Sequence, residues 1–334
     1  MKEWRFWFAE QRGTLLAIGI FVVMFTIYLT NHPAIANSGY NVATLSNIAQ
    51  TAANKGVLLA FVAMAQSLVV ITAGIDLSVG MTFTLTNCLA SWIVVGSPLQ
   101  TAGGVLGVLA VGALCGAING AIVIFGRLQP IVTTIATGAI YFGIALALRP
   151  FPGGSVNGDL ADLLTGKIFD VFPASLVVLA AVVVVVWIPF SRSVTGRGAY
   201  AVGSSDLAAY MSGVPVRRAK FVAYTLSGLL ASIGGLFLTF FTYTGEAALA
   251  SGNTYTLFSI AAVVLGGVSL FGGKGSAIGA IFGALAFRTI GDLLFVFNFD
   301  PLWQPLFQGV VLMIAVSLGA FGLFRVRNRL EWFG

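Results

Sequence analysis

Few side chains in this sequence are able to do chemistry, and their arrangement excludes most kinds of it. There is one histidine, His32, beside Pro33, and no carboxylate or cysteine near it in sequence suggests a metal site. The two cysteines, Cys88 and Cys115, lie in apolar segments without ligand spacing, so they read as small buried hydrophobes. No GxxxxGK[ST] loop is present to cradle a nucleotide phosphate, and any energy source must lie on another chain. No cofactor is expected.

Three segments stand out from the apolar background. Ala73 to Gly80, AGIDLSVG, carries Gly74, Asp76 and Gly80 to a membrane boundary. There Asp76 either caps the helix that follows, with help from Ser78, or lines a pathway. Gly266 to Gly283, GGVSLFGGKGSAIGAIFG, is a glycine-dense hinge with Lys274 as its one charge, and its outline echoes AGIDLSVG about 190 residues earlier. Gly196 to Lys220, GRGAYAVGSSDLAAYMSGVPVRRAK, is a charged island. Within it, Ser204 or Ser205 is placed to cap a short helix from Asp206 to Met211, with Gly213 as its stop and Pro215 beyond. Arg288 and Asp292, four apart in an apolar run, share a helix face and are expected to neutralise each other. Intramembrane acids are otherwise scarce, which argues against a proton- or sodium-coupled carrier.

The elements that must position these residues are membrane helices. Hydrophobic residues make up 58% of the 334 and charged residues only 8%, against about 25% charged in a soluble domain. At roughly 20 residues per crossing the length allows about ten spans. Runs long enough to cross are 14–30, 56–73, 79–95, 103–125, 131–148, 171–190, 221–241, 257–271, 277–297 and 302–324. Asn41 to Asn54 is too polar to span and reads as an interfacial helix. The first run follows a start containing Glu3 and Glu10 with no small-residue cleavage site after it, and it reads as a retained helix.

With the N-terminus in the cytoplasm, alternation places 13 of the 17 basic residues on the inner side, Arg127, Arg192, Arg197 and Lys274 among them. Both termini then face the cytoplasm, and the outer side collects Asp159, Asp162, Asp170, Glu246 and Asp300. The net charge of +6 has this membrane explanation and needs no nucleic acid. The expectation is an all-α polytopic helical bundle of about ten transmembrane helices, a single domain over 1–334 embedded in the bilayer, with a cytoplasmic loop at 191–220. Glycine occurs 41 times; Gly112, Gly116 and Gly120 line one helix face and permit close packing.

Together these segments resemble the permease subunits of bacterial ABC importers of the ribose/xylose/galactoside branch. Asp206, Ala208 and Gly213 match the coupling loop's acidic-x-Ala stretch and following glycine, with Asp206-Leu207 standing where Glu-Ala is usual. ITAGIDLSVG at 71–80 and IAAVVLGGVSLFGGKGSAIGA at 260–280 match that branch over most of the chain and in the right order. The resemblance implies no catalytic residue. It implies an ATPase subunit gripping Gly196, Arg197, Gly203, Asp206, Ala208, Gly213 and Pro215, and an extracytoplasmic binding protein that delivers a sugar, with Asp159, Asp162 and Glu246 as docking charges. A second copy or a similar permease would complete the pathway. Polar and aromatic side chains within spans, Gln66, Phe83, Thr84, Asn87, Asn119, Thr133, Thr134 and Tyr141, are its candidate lining, and each polar one can equally make an interhelical hydrogen bond. A nucleoside, polyol or furanosyl signal fits the same architecture.

Overall fold

A computed structural model describes residues 11–247, 252–314 and 317. Both chain termini lie outside the described residues, so the expected sidedness of the ends, with the inner end of the last expected span, is not placed there.

The chain is almost wholly helical. Its helices are α1 Arg12–Thr30, α2 Pro33–Ser38, α3 Val42–Ile71, α4 Val79–Ile93, α5 Pro98–Phe125, α6 Pro130–Leu148 and α7 Gly158–Thr165. A two-residue hairpin, β1 Lys167–Ile168 with β2 Phe172–Pro173, leads to α8 Ala174–Arg192, which has a π-helical segment at Val183–Trp187. Then follow α9 Val194–Ser204, α10 Asp206–Met211, α11 Val216–Thr242, α12 Gly252–Leu265, α13 Ala277–Val296 and α14 Pro301–Ile314. Among the described residues, seven helices are long and apolar enough to cross a membrane: α1, α3, α5, α6, α8, α11 and α13. Three shorter helices, α4, α12 and α14, complete the bundle.

Local chemistry sets the helix starts. Asn41 Oδ1 accepts the Thr44 N–H at 2.7 Å, Ser97 and Gln100 form a reciprocal capping box on either side of Pro98, and Pro130 opens α6. The ends use left-handed turns. After α3 the N–H groups of Ala73 and Gly74 reach back to Val70 and Val69; after α12 those of Gly267 and Val268 reach back to Val264 and Val263. These are two copies of one paired stop, a Schellman motif. Gly267 takes the left-handed residue freely at φ +77°, whereas Ala73 adopts φ +60° with a side chain.

Two expectations are corrected. Asn41 to Asn54 is not a separate interfacial helix, since it is continuous with the second span as the 30-residue α3. Its polar face turns into the protein: Gln50 Nε2 and Asn54 Nδ2 both donate to the Thr165 carbonyl, at 2.9 and 2.8 Å. The run expected at 257–271 stops at Leu265, where the two glycines terminate α12.

α3 is the axis of the bundle, with α4, α11, α12 and α13 packed round it, and its residues Val57 to Ile71 are all buried. α11 packs most heavily on α5, through the expected glycine face. A Cβ on Gly228 would stand 2.1 Å from Gly112 O, and one on Gly116 2.1 Å from Tyr224 O, so these backbones touch. Gly228→Val is expected to cost about 3 kcal/mol and to lower the melting temperature and monodisperse yield of the detergent-solubilised protein. An unchanged melting temperature and elution profile would show that the two helices separate without cost.

Candidate functional site at the junction of three segments

The three segments singled out in the sequence meet at one place. Ser193 Oγ accepts the Gly196 N–H at 2.9 Å and starts α9. A Cβ on Gly196 would lie 1.9 Å from Phe190 O, which folds the end of α8 sharply into α9. α9 then runs against the end of α3: a Cβ on Gly203 would lie 1.9 Å from Ile71 O and 2.5 Å from Gly273 N. Gly273 N itself donates to Ile71 O at 3.0 Å, and Tyr200 Oη donates to Gly275 O at 2.8 Å. Gly272 in turn abuts Ala73 and Gly203, so α9, the α3 stop and the 272–275 turn are locked backbone to backbone. Lys274, in that turn, is exposed.

α10 projects from this junction. Ser205 caps it by accepting the Ala208 N–H, and it ends in a third Schellman turn with Gly213 at φ +77°. Ala209 is its buried residue, packed with Val202 and Ala219, while Leu207, Tyr210 and Met211 are 70%, 73% and 79% exposed. At positions i, i+3 and i+4 these three form one apolar stripe on a helix anchored from its other side. Asp206 pairs with Lys220 of α11. Pro215 caps α11, and Arg197 is exposed on α9.

The 72–78 connection carries contact at this junction into the bundle. Asp76 is buried, and its Oδ1 accepts the Ser78 N–H at 2.9 Å and the Ser78 hydroxyl at 2.7 Å. Burial raises its pKa above the usual carboxylate range, opposed by the bonds from Ser78 and Asn119. The expected helix cap is corrected: Ser78 is the N-cap of α4 and makes no side-chain cap bond, so Asp76 closes the turn before the helix. Asn119 Nδ2 donates to Ser78 Oγ at 2.7 Å, Tyr141 Oη donates to Cys115 O and Asn119 Oδ1, and Thr134 Oγ1 accepts the Leu77 N–H. Thus α5 and α6 both hold this turn. Gly74 leaves room for Tyr224, and Gly80 lies against Gly252: a Cβ there would stand 2.0 Å from Gly252 O. The N-termini of α4 and α12 therefore abut, with Gly80 N donating to Thr256 Oγ1.

The other candidates sort by their bonds. Asn87 is fully engaged, donating to Thr239 and Thr244 and accepting from Glu246 N. Phe83 packs against Tyr255, the rings tilted by 35° with centroids 4.4 Å apart. Thr84 donates to Gly80 O. Gln66 is fully buried with neither amide atom hydrogen-bonded, and the Thr133 hydroxyl is likewise without a partner. Glu246 is buried and does not face outward as expected, because Asn87 draws its backbone in; Asp159, Asp162 and Asp170 are exposed. Arg288 and Asp292 do not form the expected ion pair: the one ion pair among the described residues joins Lys220 to Asp206. Sequence reading missed the stripe Leu207, Tyr210 and Met211, although its helical spacing was readable. It also missed the contact of Gly203 with Ile71, which no local pattern announces.

The family described as "Branched-chain amino acid transport system / permease component" matches residues 48–316, which include all three segments. The probable ABC transporter permease y4mJ of Sinorhizobium fredii is 36% identical over 93% of this chain and 91% of its own. The ribose import permease RbsC of Escherichia coli K12 is 32% identical over 93% of both chains, and the fructose import permease FrcC of Rhizobium meliloti 34% identical over 84% of this chain and 78% of its own. No solved structure matches the chain. Members of such a family work with a separate ATPase and a substrate-binding protein. The chain belongs to this family, and it is the multi-pass membrane permease component of an ABC transporter, a transport subunit with ATP hydrolysis left to another chain.

Proposed function

We propose that this permease imports a monosaccharide or a related small sugar across the bacterial cytoplasmic membrane, with residues 191–220 as the part gripped by its ATPase. The observation that carries this reading is the backbone contact of Gly203 with Ile71 and Gly273, beside the exposed stripe of α10. A protein seated on Leu207, Tyr210 and Met211 moves α10, α9 follows through Ala209, and the α3 stop and the Asp76 turn cannot remain still. The abutting N-termini of α4 and α12 lie next along that path. Of the candidate pathway residues, Gln66 and Thr133 keep polar atoms free for a solute, whereas Asn87, Asn119, Thr134 and Tyr141 are engaged within the bundle. The sugar class rests on the import permeases for ribose and fructose among the relatives.

Two copies, or one copy beside a similar permease, form the pathway at their interface, and the binding protein docks on the opposite face near exposed Asp159 and Asp162. The test is uptake of labelled ribose, fructose and a nucleoside control into proteoliposomes holding the permease, its ATPase and its binding protein. Uptake of a sugar that requires ATP and survives collapse of ion gradients is expected. Uptake without the ATPase, abolished by an ionophore, would overturn the reading. The sugar that is carried should also raise the melting temperature of the binding protein.

A further inference from the structure

Charge of one sign gathers at one end of the bundle. A cavity of about 260 Å³ opens where α5 ends and where α6 and α11 begin, with Arg127, Leu128, Pro130, Val216, Arg217 and Lys220 in its lining. Arg127 holds the left-handed conformation, φ +55°, just past the end of α5, a position where glycine is usual. Lys220 is half-buried and held by Asp206 of α10, whereas Arg127 and Arg217 are exposed and make no ion pair among the described residues. α6 and α11 both start without a side-chain cap and without an acid in the first turn. Their positive ends add to the sign of the cations.

The position of this cavity sets the depth of whatever fills it. α5, α6 and α11 are all long and apolar enough to cross the membrane, and the cavity lies at an end of each, so it sits at the membrane surface. From Pro130, α6 runs for 19 residues, about 28 Å, which matches the roughly 30 Å hydrocarbon thickness of a bilayer. Its first turns leave Ile131, Val132 and Ile135 exposed. A lipid whose phosphate lies at Arg127 and Arg217 therefore has apolar surface for its chains on the way to the midplane. With 191–220 in the cytoplasm the cavity faces the cytoplasmic leaflet, whose anionic lipids are drawn to basic pockets between membrane helices. An ammonium headgroup fits it poorly, because Asp206, the acid beside Lys220, is already engaged.

We propose that this cavity binds the phosphate of an anionic glycerophospholipid, such as phosphatidylglycerol, from the cytoplasmic leaflet. The phosphate bridges Arg127 and Arg217 and reaches Lys220, and the chains follow α6 into the bilayer. The site rests on the reading that puts 191–220 in the cytoplasm, and it gives that segment a second input. A phosphate beside Lys220 draws on the same ammonium that holds Asp206, the first residue of α10. The lipid thereby loosens the tie between α10 and α11.

The test uses the full-length permease without its ATPase, stripped of lipid in mild detergent and titrated with dioleoylphosphatidylglycerol, dioleoylphosphatidylethanolamine or inorganic phosphate, with native mass spectrometry and the melting temperature as readouts. The glycerol lipid is expected to bind about tenfold or more tighter than the ethanolamine lipid, and phosphate alone to leave the melting temperature unchanged. Arg127→Gly, which suits the left-handed backbone, and Arg217→Gln should each weaken the glycerol lipid about fivefold, the size of one cation beside anionic lipid. Arg218→Gln removes a neighbouring cation that does not line the cavity and should change the affinity by less than about twofold. Equal binding of the two lipids, a response to phosphate alone, unchanged affinity in Arg127→Gly and Arg217→Gln, or an equal loss in Arg218→Gln would overturn the proposal. Loss of the adduct when the ATPase docks would assign the cavity to that protein and overturn it too. Binding is read before the ATPase is added, so its failure is distinct from failure of the coupling role of 191–220.

Discussion

A permease carrying Leu207→Asp and Met211→Asp is expected to reach the membrane in normal amount and to lose ATP-driven uptake by about a hundredfold or more. Both side chains are more than two-thirds exposed, so charge in their place costs the isolated fold little. A partner that buries them loses two apolar anchors, each worth about 2 kcal/mol or more at a well-packed interface. α10 itself survives, since Ser205 caps it and Ala209 anchors it from the opposite face. The measurement is co-purification of the ATPase with the permease beside uptake in proteoliposomes. Normal ATPase retention with normal uptake would remove α10 from the interface.

Gly203→Val should separate docking from transport. Its added carbon meets Ile71 O at 1.9 Å and Gly273 N at 2.5 Å, and both are backbone atoms that cannot swing aside. Relief requires α9 to lift from the end of α3. The exposed stripe is untouched, so the ATPase is expected to co-purify and to hydrolyse ATP while uptake falls tenfold or more, from an overpacking cost of about 1–3 kcal/mol placed on the moving contact. Gly213→Ala is the useful contrast. Nothing lies within 4 Å of an added Cβ there, and the penalty is only the left-handed φ of +77°, about 1–2 kcal/mol. It should fray the end of α10 and weaken docking modestly. If Gly203→Val transports normally, the α9–α3 contact is packing and not transmission.

The pattern of apolar runs was enough to read a helical membrane bundle, and Ser, Gly and Pro were enough to read α10 nearly to the residue. Legibility failed where partners are remote in sequence. Gln50 and Asn54 look wet until Thr165, more than a hundred residues away, supplies the carbonyl they share. Glu246 looks like a surface charge until Asn87 binds its backbone. Arg288 and Asp292 look paired because four residues make one turn, but spacing fixes a shared face and not the rotamers that the two side chains adopt. Each of the three segments was visible as a motif, and their meeting was not, because the contacts between glycine backbones at Gly203, Gly272 and Gly273 leave no side-chain pattern to read.

The 15-residue α4 spans about 22 Å, short of the roughly 30 Å hydrocarbon layer, and its polar groups find partners late in the chain. Asn87 waits for Thr239, and Gly80 for Thr256, 176 residues downstream. Until α11 and α12 have been synthesised, α4 has neither the length to be a settled span nor the neighbours to satisfy its backbone and amide groups in lipid. The heart of the bundle is therefore among the last parts to close during biosynthesis. A ribosome stalled before residue 256 would hold a permease that lacks α13 and α14 and has an unfinished centre, a substrate for quality control rather than a smaller working unit.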